Sequence, residues 1–231
     1  PEPLRAESLA LAGGSDGITA HRLEYRRHIS DADIDALSAL CQKAGRPLNL
    51  EMAVTAEMLA IALDHRPHAA CLVPERREER TTEGGLDVVG GHNAIAPVVV
   101  RLREANIRVS LFVEPDPKQI EMAQAVGTEV VELHTGAYCE AVKAGHEDLA
   151  YRLLARLKEA AIDASRRGLE VHAGHGIDFD SVRPVSQILQ LTELSIGHFL
   201  IGEAIFVGLP AAIARMRSLM DEARDLNWAQ P

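Results

Sequence analysis

Histidine residues repeatedly stand where short apolar runs of the sequence end. His21, His134 and His198 each close such a run, and His172 and His175 end and follow another. Imidazole changes charge near neutral pH, which makes it a common group for proton transfer in catalysis. The pattern therefore predicts an enzyme in which several histidines gather at one site.

One carboxylate, Glu51, lies inside the apolar run 48–53. Burial disfavours the charged form of a carboxyl group and raises its pKa, so a buried glutamate can act as a general acid or base near neutrality. The alternative is a structural glutamate whose charge is satisfied by a partner. Both interpretations place Glu51 beside other polar groups.

A basic segment, 21–28, is a candidate clamp for a phosphate or carboxylate group. Its basic side chains are His21, Arg22, Arg26, Arg27 and His28. The alternative is a solvated loop whose arginines form ion pairs with Glu24 and Asp31.

Glycine–histidine turns follow the last two apolar runs, at 172–176 and 196–198. Glycine lets a ligand approach the backbone closely, and such turns in parallel barrels often bind phosphate at a helix N-terminus. The polar, glycine-punctuated segment 76–91 also follows an apolar run. It could be a mobile active-site loop or a disordered connection.

Three classes of chemistry are disfavoured. No lysine ends an apolar run, as a Schiff-base enzyme would need, and no serine nucleophile elbow is present. The pairs His172/His175 and His65/His68 have a spacing of three, but no clustered carboxylates or cysteines complete a zinc signature. We therefore expect no metal. The lysines considered for the Schiff base, none of which ends an apolar run, are Lys43, Lys118, Lys143 and Lys158.

The composition indicates a globular protein that handles small molecules. The chain has 231 residues, of which 47% are hydrophobic, and a net charge of −10. An acidic surface argues against nucleic acid or an anionic membrane as partner. The three cysteines form no short-spaced pair, and no signal peptide or membrane-spanning stretch is visible. These features predict reduced thiols and a cytoplasmic location.

Strand-like runs alternate with amphipathic segments along the whole chain, which predicts a parallel α/β sheet in one domain, 1–231. With seven strands, the sheet is either a (β/α)8 barrel without its first strand or an open doubly wound sheet. The predicted strands are 16–21, 48–53, 69–73, 109–113, 129–133, 170–173 and 194–201. The predicted helices are 6–12, 31–44, 56–64, 95–105, 117–126, 146–167, 182–190 and 210–225.

Nine short motifs, in order along nearly the whole chain, resemble those of the pyridoxine 5′-phosphate synthases of deoxyxylulose-dependent vitamin B6 biosynthesis. The combination is specific to that family, although no single string is. The motifs are Asp16-Gly-Ile-Thr19, Arg26-Arg-His-Ile29, Asn49-Leu-Glu-Met-Ala-Val-Thr55, Cys71-Leu-Val-Pro-Glu75, Thr81-Thr-Glu-Gly-Gly-Leu-Asp87, Val109-Ser-Leu-Phe112, Glu132-Leu-His-Thr-Gly136, Ala173-Gly-His-Gly176 and Ile196-Gly-His198.

The resemblance implies a TIM (β/α)8 barrel that condenses 3-amino-2-oxopropyl phosphate with 1-deoxy-D-xylulose 5-phosphate. The products are pyridoxine 5′-phosphate, phosphate and water. The resemblance implies no cofactor and no metal, and a homo-octameric assembly. The small phosphorylated substrates would be the partners of the site.

The resemblance also implies roles for individual residues. His21 and Glu51 match the general bases, and His175 matches a proton donor. His28 and Thr81 match positions that hold the phosphate of deoxyxylulose phosphate. The positions that hold the aminooxopropyl phosphate are matched by Gly176, Gly197 and His198.

The chain departs from the family pattern in two places. The family's first strand, with an Asn-x-Asp-His segment, has no counterpart, so we expect a barrel whose first strand is missing from this chain. Leu23 stands where the family has a substrate-binding arginine. Arg22 is one residue away, which on an extended backbone means the opposite face.

Two other functions stay open on the residues alone. The glycine turns would also suit another phosphate-binding barrel enzyme, such as an isomerase or epimerase. The missing strand and Leu23 would suit an inactive truncated homologue that acts only as an oligomer subunit.

Overall fold

The computed structural model describes residues 2–22, 29–74 and 84–228, which form seven strands and ten helices. The strands are β1 (Ile18–His21), β2 (Leu48–Met52), β3 (Ala69–Leu72), β4 (Arg108–Val113), β5 (Val130–His134), β6 (Glu170–Gly174) and β7 (Leu191–Ser195). The helices are α1 (Pro3–Ala12), α2 (Asp31–Ala44), α3 (Ala56–His65), α4 (Val88–Glu104), α5 (Pro117–Ala125), α6 (Gly136–Lys143), α7 (Glu147–Arg166), α8 (Val182–Ser186), α9 (His198–Val207) and α10 (Leu209–Trp228).

The sheet is parallel throughout, and its strands lie side by side in chain order from β1 to β7. A doubly wound sheet reverses its strand order at a switch point, so that alternative is wrong for the described residues. Sequential parallel order is the arrangement of a (β/α) barrel wall. Within the described residues β1 and β7 are the two edge strands.

The two faces of the sheet have opposite chemistry because side chains alternate along each strand. The outward side chains, such as Leu50, Leu111 and Val131, are fully buried against the helices and belong to the main apolar core. The inward side chains at neighbouring positions are mostly polar, and Glu51, Ser110 and Glu132 are examples. A small apolar cluster of Cys71, Val73 and Phe112 lies on the same inward face.

Local signals explain where two of the helices begin and end. Ser30 caps α2: its hydroxyl accepts the Asp33 N–H, and the Asp33 carboxylate accepts the Ser30 N–H at 2.9 Å. Such a reciprocal box satisfies backbone donors that the first turn leaves unpaired. At the far end of α7, Gly168 adopts φ 82°, the left-handed conformation that ends helices. Both boundaries were predicted from the sequence.

Three element predictions need correction. The predicted strand 194–201 is β7 only as far as Ser195, and the remainder enters α9. Helix α6 was not predicted, and α4 begins at Val88, seven residues before the predicted start. No helix in the described ranges combines the length and apolar character needed to cross a lipid bilayer.

Candidate active site

His21 and Glu51 face each other at the carboxyl ends of β1 and β2. The strand register pairs these two residues directly, and His21 Nδ1 lies 3.6 Å from Glu51 Oε2. Burial raises the pKa of Glu51 to about 7. A carboxyl group with that pKa is partly protonated at neutrality and can both accept and donate a proton. The two predicted bases are therefore adjacent.

A second buried glutamate, Glu132, lies on the inward face of β5. The residue is 4% exposed. Burial, together with the negative charges of Glu51 and Glu193, raises the pKa of Glu132 to about 8. Burial therefore raises the pKa of both carboxyl groups towards neutrality. Buried carboxyl groups with raised pKa values are typical of acid–base sites.

The surroundings of Glu132 are shaped to hold its side chain. Gly174 is inward-facing on the neighbouring strand, and a Cβ atom there would lie 2.3 Å from Glu132 Oε1. Only glycine leaves room for the carboxyl group at this point. On the other side the buried Cys71 thiol donates to Glu132 Oε2 at 3.8 Å. The predicted reduced state of the cysteines agrees with the structure, in which all three are free and buried.

His175 follows β6 in a strained turn. Its φ of 78° is uncommon for a residue with a side chain, and such conformations persist where neighbouring groups enforce them. Thr135 does this, since its hydroxyl lies 2.7 Å from the Gly174 carbonyl oxygen and 2.6 Å from that of His175. The His175 ring packs against Phe112 and His134, with centroid distances of 6.3 and 5.0 Å.

The predicted phosphate-binding residues fall in two places. Gly176, next to His175, has φ 82°, and a Cβ atom there would lie 3.2 Å from Cys139 Cβ. Gly197 and His198 are exposed and begin α9, with Gly197 at the position before the first helical residue. The N–H groups of the first helical turn have no partner within the helix, so an anion can bind there.

The basic segment gives a divided result. Arg22 is completely buried, and its guanidinium donates to Asp31 and contacts Met58 Sδ at 3.3 Å. It therefore forms the ion pair of the structural alternative and does not replace the arginine missing at Leu23. His28 and Thr81, both predicted to bind phosphate, lie outside the described residues.

The predicted pairs of histidines do not form metal sites. His172 Nε2 lies 2.8 Å from Glu170 Oε1, deep in the sheet interior, while His175 packs with other rings. His65 instead contacts Asp35 between α2 and α3 at 2.5 Å. In residues 2–22, 29–74 and 84–228 no three His, Cys, Asp or Glu side chains are grouped to hold a metal ion.

Two acidic residues of the site, Glu132 and Glu114, were not predicted. Glu132 carries the same signal as Glu51, a carboxylate inside an apolar strand, and could have been found by the same argument. Glu114, which lies 2.7 Å from His134 Nδ1, follows β4 in a polar loop and has no such signal. His134 lies between Glu114 and His175.

Parallel strands in barrel order, with titratable side chains at their carboxyl ends, define the class: an enzyme of the (β/α)-barrel type. A sequence profile described as "Pyridoxal phosphate biosynthesis protein PdxJ" matches residues 1–222. The chain belongs to this family.

Relatives named pyridoxine 5′-phosphate synthase agree with this family assignment. The chain is 66% identical to the pyridoxine 5′-phosphate synthase of Caulobacter sp. (strain K31) over 224 residues, which cover 97% of this chain and 89% of the relative. It is 59% identical to the pyridoxine 5′-phosphate synthase of Rhodospirillum rubrum over 223 residues, covering 96% and 87%. The resemblance stated from the motifs is thereby confirmed.

More distant solved structures share the fold alone. The thiamine phosphate pyrophosphorylase from Pyrococcus furiosus superposes with a TM-score of 0.63 at 15% identity, covering 96% of this chain and 91% of that one. The phosphoribosylanthranilate isomerase from Thermotoga maritima gives 0.60 at 13% identity, covering 95% and 94%.

Proposed function

We propose that this chain has pyridoxine 5′-phosphate synthase activity. It condenses 3-amino-2-oxopropyl phosphate with 1-deoxy-D-xylulose 5-phosphate to give pyridoxine 5′-phosphate, phosphate and water. The observation that carries the proposal is the interior row of His21, Glu51 and Glu132, in a chain of this family. Ring closure needs repeated proton transfers on carbonyl, imine and hydroxyl groups, and these residues carry titratable groups that can accept and donate protons.

Each titratable residue has a distinct part in the proposed reaction. His21 and Glu51 act as general bases, and the raised pKa of Glu51 lets it release each proton again near neutrality. His175 donates a proton from the opposite side of the strand ends. Glu132, protonated at neutral pH, can donate a hydrogen bond to an oxygen that becomes negative during the reaction.

The two substrates carry one phosphate group each, so two anion-binding places are required. Gly176, Gly197 and His198 hold the aminooxopropyl phosphate in this proposal, supported by the N-terminus of α9. His28 and Thr81 hold the phosphate of deoxyxylulose phosphate. This second assignment follows the family motifs alone.

Synthesis of the product from its two substrates tests the proposed function. Purified protein is incubated with both compounds, and pyridoxine 5′-phosphate and released phosphate are measured. His175→Asn, which removes the proposed proton donor, should lower kcat by at least about 100-fold. No product from the natural full-length protein would contradict the synthase and favour the inactive homologue. Turnover of one phosphosugar alone would favour an isomerase.

We also propose that a strand outside the described residues pairs with both β1 and β7 and completes a (β/α)8 barrel in a single domain. The support is physical: edge strands expose unpaired backbone groups, and barrels remove such edges. A crystal structure of the natural protein should contain this strand. Direct pairing of β1 with β7 would contradict the proposal.

The protein is further proposed to be a cytoplasmic homo-oligomer, with the octamer implied by the family resemblance. Helix α9 supports an assembly because it exposes Ile205 and Phe206, which are 80% and 83% exposed. Large apolar side chains grouped on a surface commonly mark protein interfaces. Light scattering should give a mass near eight chains, and a monomer would contradict the proposal.

A further inference from the structure

The ring of His134 has no part in the reaction assigned above, yet it is built into the site. It ends β5, and its side chain is 11% exposed. The ring lies against Phe112 at a centroid distance of 5.1 Å and against His175 at 5.0 Å, edge towards face in both cases. It therefore forms one wall of the space that His175 occupies.

Glu114 fixes which nitrogen of His134 carries a proton. Glu114 Oε1 lies 2.7 Å from His134 Nδ1 and also accepts the Gly85 N–H at 3.0 Å. The hydrogen bond from His134, aided by the charge of Arg156, lowers the pKa of Glu114, so that its carboxylate is ionised. An ionised carboxylate only accepts hydrogen bonds, hence Nδ1 is the donor.

The remaining nitrogen of His134 is turned towards His175. Nε2 is buried without a hydrogen-bond partner in the part of the chain that the structure describes. A Cβ atom on Gly136 would lie 2.5 Å from this Nε2 and 3.2 Å from His175 Cδ2. Both rings therefore meet over the bare backbone of Gly136, at the start of α6.

We propose that Glu114 and His134 form a positioning pair for His175, which holds the His175 ring in the orientation needed for proton transfer. Glu114 fixes the tautomer and tilt of His134, and the His134 ring in turn limits how His175 can rotate. Thr135 fixes the backbone of His175 but leaves its side-chain torsions open, so a second constraint is needed. The inference rests on the proposed proton-donor role of His175.

Two variants with preserved shape test the pair. His134→Phe keeps a ring between Phe112 and His175 but removes both nitrogens. Glu114→Gln keeps an oxygen for the Gly85 N–H but removes the charge that fixes the tautomer. We expect each to lower kcat by about 10- to 100-fold. The KM for both substrates should stay within about twofold, because neither side chain is assigned to a phosphate group.

The double variant distinguishes a coupled Glu114–His134 pair from two residues that affect kcat independently. If Glu114 acts only through His134, the variant with both substitutions should lose about as much kcat as His134→Phe alone. Losses that multiply would overturn the pair, as would single variants with wild-type kcat. A raised KM with unchanged kcat would also overturn the pair, because positioning of His175 acts on the chemical step.

Controls keep this outcome apart from failure of the proposed function. His92→Phe changes an exposed histidine on α4 and should leave kcat unchanged. An inactive wild-type protein would contradict the synthase assignment itself. An active wild type whose His175→Asn variant is inactive, with unaffected His134 and Glu114 variants, would overturn only the positioning pair. If Glu114→Gln does not fold, His134→Asn, which keeps an N–H for Glu114 but withdraws the ring, should show the same loss of kcat.

Discussion

Glu51 and Glu132 face the same interior, and burial raises the pKa of both carboxyl groups. Glu51 is partly open to solvent at the end of β2 and contacts His21, whereas Glu132 is enclosed and meets the charges of Glu51 and Glu193. Both groups can therefore exchange protons near neutral pH.

Replacement of Glu51 by glutamine should abolish proton transfer while keeping the size of the side chain. We expect Glu51→Gln to lower kcat by about 10²- to 10⁴-fold, the usual contribution of a general base. Steady-state kinetics of pyridoxine 5′-phosphate formation checks this.

Glu121→Gln is a matched control, because Glu121 is an exposed glutamate on α5. It should retain wild-type kinetics. A Glu51→Gln variant with more than a tenth of the wild-type kcat would contradict the role of Glu51 as a base.

Sequence patterns could indicate those candidate site residues that lie in a strand or directly after one. His21 and Glu51 end or interrupt apolar strands, and strand alternation sends both to the same face. His175 follows β6, and its position depends on the turn with φ 78°. Glu114 and the burial of Arg22 could not be predicted, because both depend on contacts between elements far apart in the sequence. A local pattern carries no information on such contacts.

At the scale of elements, a residue in the connection from β5 to α6 stabilises the backbone conformation of the turn that follows β6. The Thr135 hydroxyl reaches two carbonyl oxygens of the neighbouring turn, at Gly174 and His175. Those contacts hold His175 at a φ of 78°. The conformation of the loop after β6 is thus stabilised by a side chain in the loop after the neighbouring strand, β5.

Thr135→Val removes this hydroxyl without changing the shape of the side chain. We expect a loss of about 1–3 kcal/mol in the free energy of unfolding, because the hydroxyl proton shared between the two carbonyl oxygens is lost, and only the Gly174 oxygen keeps another donor, the Thr135 N–H. The kcat should also fall, since the His175 turn relaxes. Urea denaturation and kinetics measure the two effects.

Thr135→Ser retains the hydroxyl and serves as the matched control. It should preserve most of the kcat even if packing is slightly weaker. A kcat loss in the serine variant together with wild-type kcat in the valine variant would show that the methyl group, rather than the hydroxyl, supports the turn.

The elements that were predicted wrongly share a physical cause. Helix α9 is apolar on all sides, so it lacks the 3.6-residue alternation by which a helix is recognised, and 194–201 resembled one strand. Helix α4 contains Pro97 and two glycines near its start, which weaken its helical pattern. Amphipathic helices such as α7 were found with nearly correct ends.

At the scale of the whole molecule, the interior carboxyl groups link stability to pH. In the folded protein Glu132 keeps its proton up to about pH 8, whereas an unfolded chain releases it near pH 4.5. Between those values the folded state binds more protons than the unfolded state. Stability therefore falls as pH rises through this window.

Glu132→Gln cannot ionise and should remove this part of the pH dependence. One proton changes the slope by at most about 1.4 kcal/mol per pH unit, so the variant should gain up to about 3 kcal/mol relative to wild type between pH 6 and pH 8. Urea denaturation at several pH values measures the difference.

The exposed Glu121→Gln variant should follow the wild-type pH curve throughout. Parallel curves for Glu132→Gln and wild type would contradict the raised pKa of Glu132. The remaining slope of the Glu132→Gln curve reports Glu51, whose pKa is raised by burial in the same direction.

The opposite chemistry of the two sheet faces has a consequence for how such a chain can evolve. Two sets of residues alternate along the same strands. Residues such as Leu50 and Val131 pack against the helices on one face. Residues such as Glu51 and Glu132, to which proton transfer is assigned, lie on the other face. Natural selection can therefore alter the inner face towards a new reaction while the outer face continues to specify the fold. The same barrel fold can therefore carry different reactions on its inner face.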